Sequence, residues 1–383
     1  MSNQPAVLGP DGIARPYIGG QALIEGVMMR SPHCFSAVVR RKNGALVVRE
    51  TPMADLRKGK LAWPLVRGVA ALVEALKLGS AALRFSADQF EQDLEEEGAE
   101  KSTPPRSAGP STLALLSLPI IALLTNAPED FGKGSAAAPA GEPKKRLLGV
   151  LSAVFAIGIF VALPQAFAAG ASSVLGLNLD VRDVRFQLLT AAAKLTILVG
   201  YMLVIRRLPE IYRVFQYHGA EHKSIYTYES GEALTVANAR PKTTLHPRCG
   251  TTFIVMVALV SIFVFSALGP LLPHIGAGKL VDNLLFFAFK LPFLPFIAAL
   301  TFELQRVLAK YCTTGPGQIL LWPGFLVQKI TTIEPDEQQL EVALSALLIT
   351  LEAEQQGLKL ASTSERTFVD FESLSTRAAV QAA

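Results

Sequence analysis

Four stretches of this chain, 147–175, 186–205, 251–272 and 284–304, are apolar over lengths that few folds can house. About 20 consecutive apolar residues in a helix cross a bilayer core, and backbone groups in hydrocarbon must find their hydrogen bonds within the segment. The four stretches predict a mainly α, polytopic helical membrane protein in contact with a lipid bilayer. Pro164 is expected to kink the first span, and Lys290, between apolar neighbours in the fourth, is expected to snorkel. Composition agrees, because only 18% of the residues are charged, against about 25% in soluble domains. The net charge of +4, without aromatic residues interleaved in a basic patch, gives no footing for nucleic acid.

Basic residues sort the loops. Lys144, Lys145 and Arg146 precede the first span, and seven Lys/Arg from Arg206 to Arg248 lie between the second and third. Arg306 and Lys310 follow the fourth, whereas loops 176–185 and 273–283 hold only Arg182, Arg185 and Lys279. Basic loops stay on the cytosolic side, so the expected location is the cell membrane, multi-pass, with both termini cytoplasmic. Residues 1–16 lack the basic-then-apolar order of a secretory signal. Three scattered cysteines, Cys34, Cys249 and Cys312, suit a reducing compartment better than a disulfide framework.

Outside the spans, 17–60 reads as a small β-rich N-terminal cytosolic cap. Asn43-Gly44 lies between two β-rich runs, a short hairpin signal in which both turn residues take positive φ. An amphipathic helix is expected over 61–86, with Pro64 in its first turn and Arg67, Glu74, Lys77 and Arg84 on one face. Residues 87–146 read as a solvated linker, acidic at first, with a short apolar piece at 111–125 that is membrane-touching or re-entrant. The membrane domain, 147–305, carries a cytosolic loop at 206–250. An interfacial turn and a C-terminal helix fill 306–355, and 356–383 reads as a disordered tail.

The 206–250 loop carries the chemistry. Tyr217-His218-Gly219-Ala220-Glu221-His222-Lys223 and His246-Pro247-Arg248-Cys249 hold three of the chain's five histidines. A helix starting at Pro209 puts His218 and His222 on one face, at i and i+4. His-x-x-Glu-His is the reversed form of the zinc-protease helix motif, in which two histidines bind metal and the glutamate handles a proton. Gly219 and Ala220 keep that helix surface small, which leaves room for a metal or a substrate. His246 and Cys249 add N and S donors, and the set suits Zn2+. If all four ligate, the site is closed and structural. If one stays out, water can bind and be activated, with Glu221 as general base and Arg248 steadying an anionic transition state. The bland alternative is a surface helix with incidental histidines and a cysteine at a helix start.

Glu25, Glu229 and Glu303 are further acidic candidates. Glu25 sits between apolar residues and needs a partner. Glu303 lies at one end of the fourth span, where simple interfacial solvation is the plainer account. Neither a G-x-x-x-x-G-K-[ST] run nor a G-x-S-x-G run is present, so nucleotide and serine-hydrolase chemistry gain no support.

Four runs carry a resemblance: 19–30 (Gly-Gly-Gln-Ala-Leu-Ile-Glu-Gly-Val-Met-Met-Arg), 217–223, 246–251, and Thr331-Thr332 with Glu334-Pro335-Asp336. On them the chain resembles the YqhQ-like family of bacterial integral membrane proteins. The resemblance implies a membrane protein with a metal-dependent role and supplies no reaction. Two functions follow as expectations: a zinc-dependent hydrolase acting on a membrane-proximal substrate, or a non-enzymatic platform whose structural zinc site docks a protein partner.

Overall fold

The computed structural model describes residues 6–8, 12, 14–53, 63–100, 151, 154–269, 278–313, 315–355 and 362–382. The apolar piece at 111–125, the rest of the linker at 101–146 and the basic cluster at 144–146 lie outside them.

The N-terminal strands alternate their side chains between two apolar layers. β1 (Ala6–Leu8) and β2 (Ala14–Pro16) form a small ribbon. β3 (Gly19–Leu23), β4 (Gly26–Arg30), β5 (Cys34–Arg40) and β6 (Leu46–Pro52) then form an antiparallel meander. Met28, Phe35, Ala37 and Val39 pack with Ala82 and Phe85 on one face. Val27, Met29, Val38, Leu46 and Val48 pack on the other against Tyr217, Leu340, Leu344 and Leu347. The period of two in a strand divides these residues between the layers. The expected cap is thus the middle layer of an α/β/α sandwich, buried on both faces.

The β5–β6 hairpin stands where Asn43-Gly44 predicts it, but the turn differs. Arg40 pairs with Leu46, and only Gly44 has positive φ, at 89°. Five residues close the loop rather than two, with Arg41 N donating to Ala45 O at 2.8 Å.

α1 (Val66–Glu100) runs well past the expected end at 86, so the acidic run 88–100 is helical rather than linker. Glu, Gln, Ala and Leu favour helix intrinsically, and a partner across the sheet fixes the acids. Asp93 receives Arg41 Nε at 2.5 Å and the Lys42 N–H at 3.1 Å. At its other end, α1 is joined to the last apolar helix by Arg67 and Glu303, with Nε–Oε1 at 2.6 Å.

Among the described residues, four helices are long and apolar enough to cross a membrane: α2 (Val154–Val174), α3 (Val184–Ile205), α6 (Gly250–Leu268) and α7 (Lys279–Tyr311). α2 contains a π-helical turn, Gly158–Ala162, just before Pro164, which eases the proline into the helix. Phe186, Val260, Phe265, Phe286 and Ile297 meet inside the bundle, while Phe155, Phe167, Leu188, Phe263 and Leu284 face outward. Lys290 does not snorkel: it is 4% exposed.

Between α3 and α6 the expected loop is mostly helix, α4 (Pro209–Glu229) and the short α5 (Val236–Ala239). After α7 come a 3-10 turn (Pro316–Leu321), α8 (Trp322–Thr331) and α9 (Glu337–Gln355). The expected disordered tail instead carries β7 (Ser364–Phe368), antiparallel to β6, and α10 (Phe371–Ala382). Glu50 pairs with Arg366, and Arg49 Nη2 lies 2.6 Å from Glu365. The C-terminal strand and the N-terminal meander therefore share one sheet.

Candidate metal centre

Local sequence starts and stops α4. Leu208 is extended, Pro209 follows at the first helical position, and Gly231 at φ 71° ends the helix. The Gly231 and Glu232 N–H groups return to Tyr228 O and Thr227 O. This is a glycine-capped stop, in which a left-handed residue turns the chain so that the last carbonyls are satisfied. The i, i+4 spacing then holds the His218 and His222 rings 4.5 Å apart.

A third donor reaches them from α6. Cys249 is the N-cap of that helix, extended at φ −66° and ψ 142°, with its sulfur accepting from Thr251 N. His218 Nε2 lies 3.1 Å from Cys249 Sγ. One ligand atom each from His218, His222 and Cys249 fall within 4.8 Å of one another. Both imidazoles are oriented from behind. His218 Nδ1 donates to Thr331 O at 2.9 Å, and His222 Nδ1 donates to Thr244 O. A backbone carbonyl on Nδ1 fixes the tautomer that leaves Nε2 its lone pair. Burial pushes the Cys249 thiol up, but the neighbouring His222 and Thr251 outweigh it and hold the thiol below its usual range.

Glu221 flanks the three donors and is buried. Burial, reinforced by Cys249 and opposed by His218, raises its carboxyl to about 8. Strand β3 covers it: a Cβ on Gly20 would stand 2.6 Å from Glu221 Oε1. Gly219 has a different use from the expected one. A Cβ there would run into the carbonyl oxygen of Ile333, so a crossing backbone fills the space, and Ala220 is part of the core.

His246 stays outside the trio. Its ring centroid is 5.6 Å from that of His222, its Nδ1 accepts from Arg248 N at 3.4 Å, and its Nε2 faces Glu229 at 3.6 Å. Burial lowers it to about 4, leaving a neutral ring. Arg248 pairs with Glu229 and lies over the Tyr17 ring, 5.0 Å from its centroid, so its charge is already partnered. Glu25 finds Arg213, at 2.5 and 2.6 Å, and the Tyr217 hydroxyl. Glu303 binds Arg67. Of the candidate residues, the tertiary fold gathers His218, His222 and Cys249 with Glu221 beside them, and ties the rest into ion pairs or the surrounding wall.

The groups that support the trio have no distinctive residue type. Gln328 accepts from His246 N and donates to His246 O, both at 2.7 Å, and to Thr252 Oγ1 at 2.6 Å. It clamps the loop that presents Cys249. Thr244 and Thr331 contribute backbone carbonyls, which any residue has. Only the Thr331-Thr332 run hints at them in sequence.

A family model described as "Protein of unknown function (DUF1385)" matches residues 63–353. The chain is 31% identical over 342 residues to "Uncharacterized protein YqhQ" of Bacillus subtilis (strain 168), covering 88% of this chain and 94% of that protein. No solved structure matches.

Proposed function

We propose, from the premise that this chain belongs to the DUF1385 family, whose description carries no function, that it is a membrane-embedded zinc-dependent hydrolase working at the cytosolic face. The observation that carries this reading is the donor trio with its two carbonyl supports. Two imidazoles and a thiol held low form an N/N/S set suited to zinc. A tetrahedral zinc with bonds of about 2.0–2.3 Å needs ligand atoms about 3–4 Å apart, in keeping with the 3.1 Å between His218 Nε2 and Cys249 Sγ. Three protein donors leave a fourth position open, as catalytic sites do.

Zinc held there would act as a Lewis acid on a carbonyl or phosphoryl oxygen. Glu221, whose carboxyl burial raises to about 8, would take up and return a proton. Gly20 keeps a side chain away from that carboxyl. The substrate is a membrane-proximal ester, amide or phosphoester. The cytosolic side follows from the basic loops. The single sheet joining β3 and β7 supports both ends of the chain lying on one side of the membrane.

A structural zinc site on a docking platform is the second reading, favoured by burial. His222 is 1% and Cys249 6% exposed, and the trio fastens α4 to the start of α6. One experiment separates the two. Detergent-purified protein, kept from chelators, is analysed for metal and by absorption at the zinc edge, then screened against ester, peptide and phosphodiester substrates. The hydrolase reading expects one zinc with two N, one S and an oxygen ligand, and activity that Glu221→Gln abolishes while zinc remains. Four protein N/S ligands and a silent Glu221→Gln favour the platform. Metal-free protein would sink both.

A further inference from the structure

All four apolar helices bring polar side chains to a common place inside the bundle, α7 bringing both Lys290 and Asn283, which also meets Gln165. Lys194 stands at the middle of α3 and Ser261 near the middle of α6, and Lys194 Nζ donates to Ser261 Oγ at 3.1 Å. Gln165 is near the middle of α2, and Lys290 Nζ donates to its Oε1 at 2.9 Å. Lys290 Nζ also lies 4.5 Å from the Phe286 ring centroid and 5.2 Å from that of Phe265. Phe265 is one helical turn from Ser261 on α6, which brings the two ammonium groups into one neighbourhood. Among the described residues neither lysine is paired with a carboxylate; the polar contacts are Ser261 Oγ for Lys194 and Gln165 Oε1 for Lys290.

Two cations without an acid inside an apolar bundle are costly, and ionisable groups at such depth mark ligand or ion sites. Aromatic faces attract the charged form of a lysine, and Gln165 offers Lys290 an acceptor. These contacts suit an ammonium group but bring no counter-charge to it. We propose that Lys194 and Lys290, supported by Gln165 and Ser261, form an intramembrane anion site that takes a small singly charged group. The group arrives as the carboxylate of a fatty acid through the lipid or as an inorganic anion from water. This inference rests on the membrane reading of α2, α3, α6 and α7 and is independent of the metal centre.

The test uses the full chain in phosphatidylcholine nanodiscs, with doxyl-stearate followed by electron spin resonance and chloride followed by NMR linewidth. Saturable binding of one of them is expected, and the one that binds identifies the source. Lys290→Met and Lys194→Met should each weaken it by roughly tenfold or more, the scale of one charge-assisted hydrogen bond. Doxyl-stearate methyl ester should not bind. If Lys290→Met does not fold, Lys194→Met and Ser261→Ala carry the comparison. No saturable binding of either anion, equal binding by the lysine variants, or equal binding of the ester overturns the proposal. Zinc content measured on the same samples reports separately on the metal centre, and failure of the chain to enter nanodiscs would remove the membrane premise itself.

Discussion

The His/Cys trio and the lysine pair are both polar clusters in apolar surroundings, yet they are built in opposite ways. Around the trio, each donor has support behind it: Thr331 O, Thr244 O, and the Thr251 N–H at the start of α6. The supports point lone pairs inward, the arrangement that receives a cation. Around the lysines the contacts are aromatic faces, an amide carbonyl and a hydroxyl, and none of them is a carboxylate. The first cluster should lose stability when a member is removed. The second should gain it.

The largest effect is expected at the trio. If the proposed zinc is bound there, Cys249→Ala or His222→Ala should lower it from about one per chain to under about a tenth, and melting should drop sharply, because binding of a structural or catalytic metal is coupled to folding. Elemental analysis and a thermal melt check this; full zinc retention would dissolve the contrast. Next comes Gly20→Ala, whose Cβ meets the Glu221 carboxyl. Overpacking of this kind costs about 1–3 kcal/mol. Glu221→Ala in the same chain should restore most of it, a coupling readable in a double-mutant cycle.

Lys290→Met should move stability the other way. Replacing an unneutralised buried charge by an apolar group of similar length stabilises by about 1–2 kcal/mol, read as a higher melting temperature in the same detergent. A fall of similar size would mean the lysine is matched by a partner and would break the comparison. A pH effect is expected from the wall of the trio. Burial takes His246 from 6.5 down to about 4. The unfolded chain then binds the extra proton first, so stability is full above about 6.5 and falls as pH drops towards 4. His246→Gln should flatten that part of the melting profile. The smallest effect is expected from Arg67→Ala. Its pair with Glu303 is partly exposed, 31% and 18% for the two side chains, and such pairs contribute under about 1 kcal/mol.

Much of this was legible along the chain because it is written in local pattern. The four apolar helices follow from length and composition. The His218/His222 face follows from helical spacing once Pro209 starts the helix. The β5–β6 hairpin follows from Asn43-Gly44. What misled was also local. Acid-rich 88–100 has the composition of a solvated segment, yet Asp93 is fixed by Arg41 on a hairpin far away in sequence. The C-terminal stretch offers only a short strand, and β7 exists because β6 presents an open edge. Gly219 looked like room for a ligand until Ile333 crossed it.

The sequence by itself determined which side chains could hold a zinc ion, since His, Cys, Asp and Glu carry the lone pairs that suit it and their types are fixed by the chain. It also determined the helical form of the apolar segments, because hydrocarbon leaves the backbone no other partner. Tertiary structure decided which candidates meet. Cys249 joins His218 across 31 positions, His246 turns to Glu229, Arg248 is taken by the same glutamate, and Lys194 and Lys290 converge from separate helices. Such meetings depend on how elements pack. Packing is a sum over long-range contacts and backbone carbonyls, and neither leaves a mark in the spacing of residues along the chain.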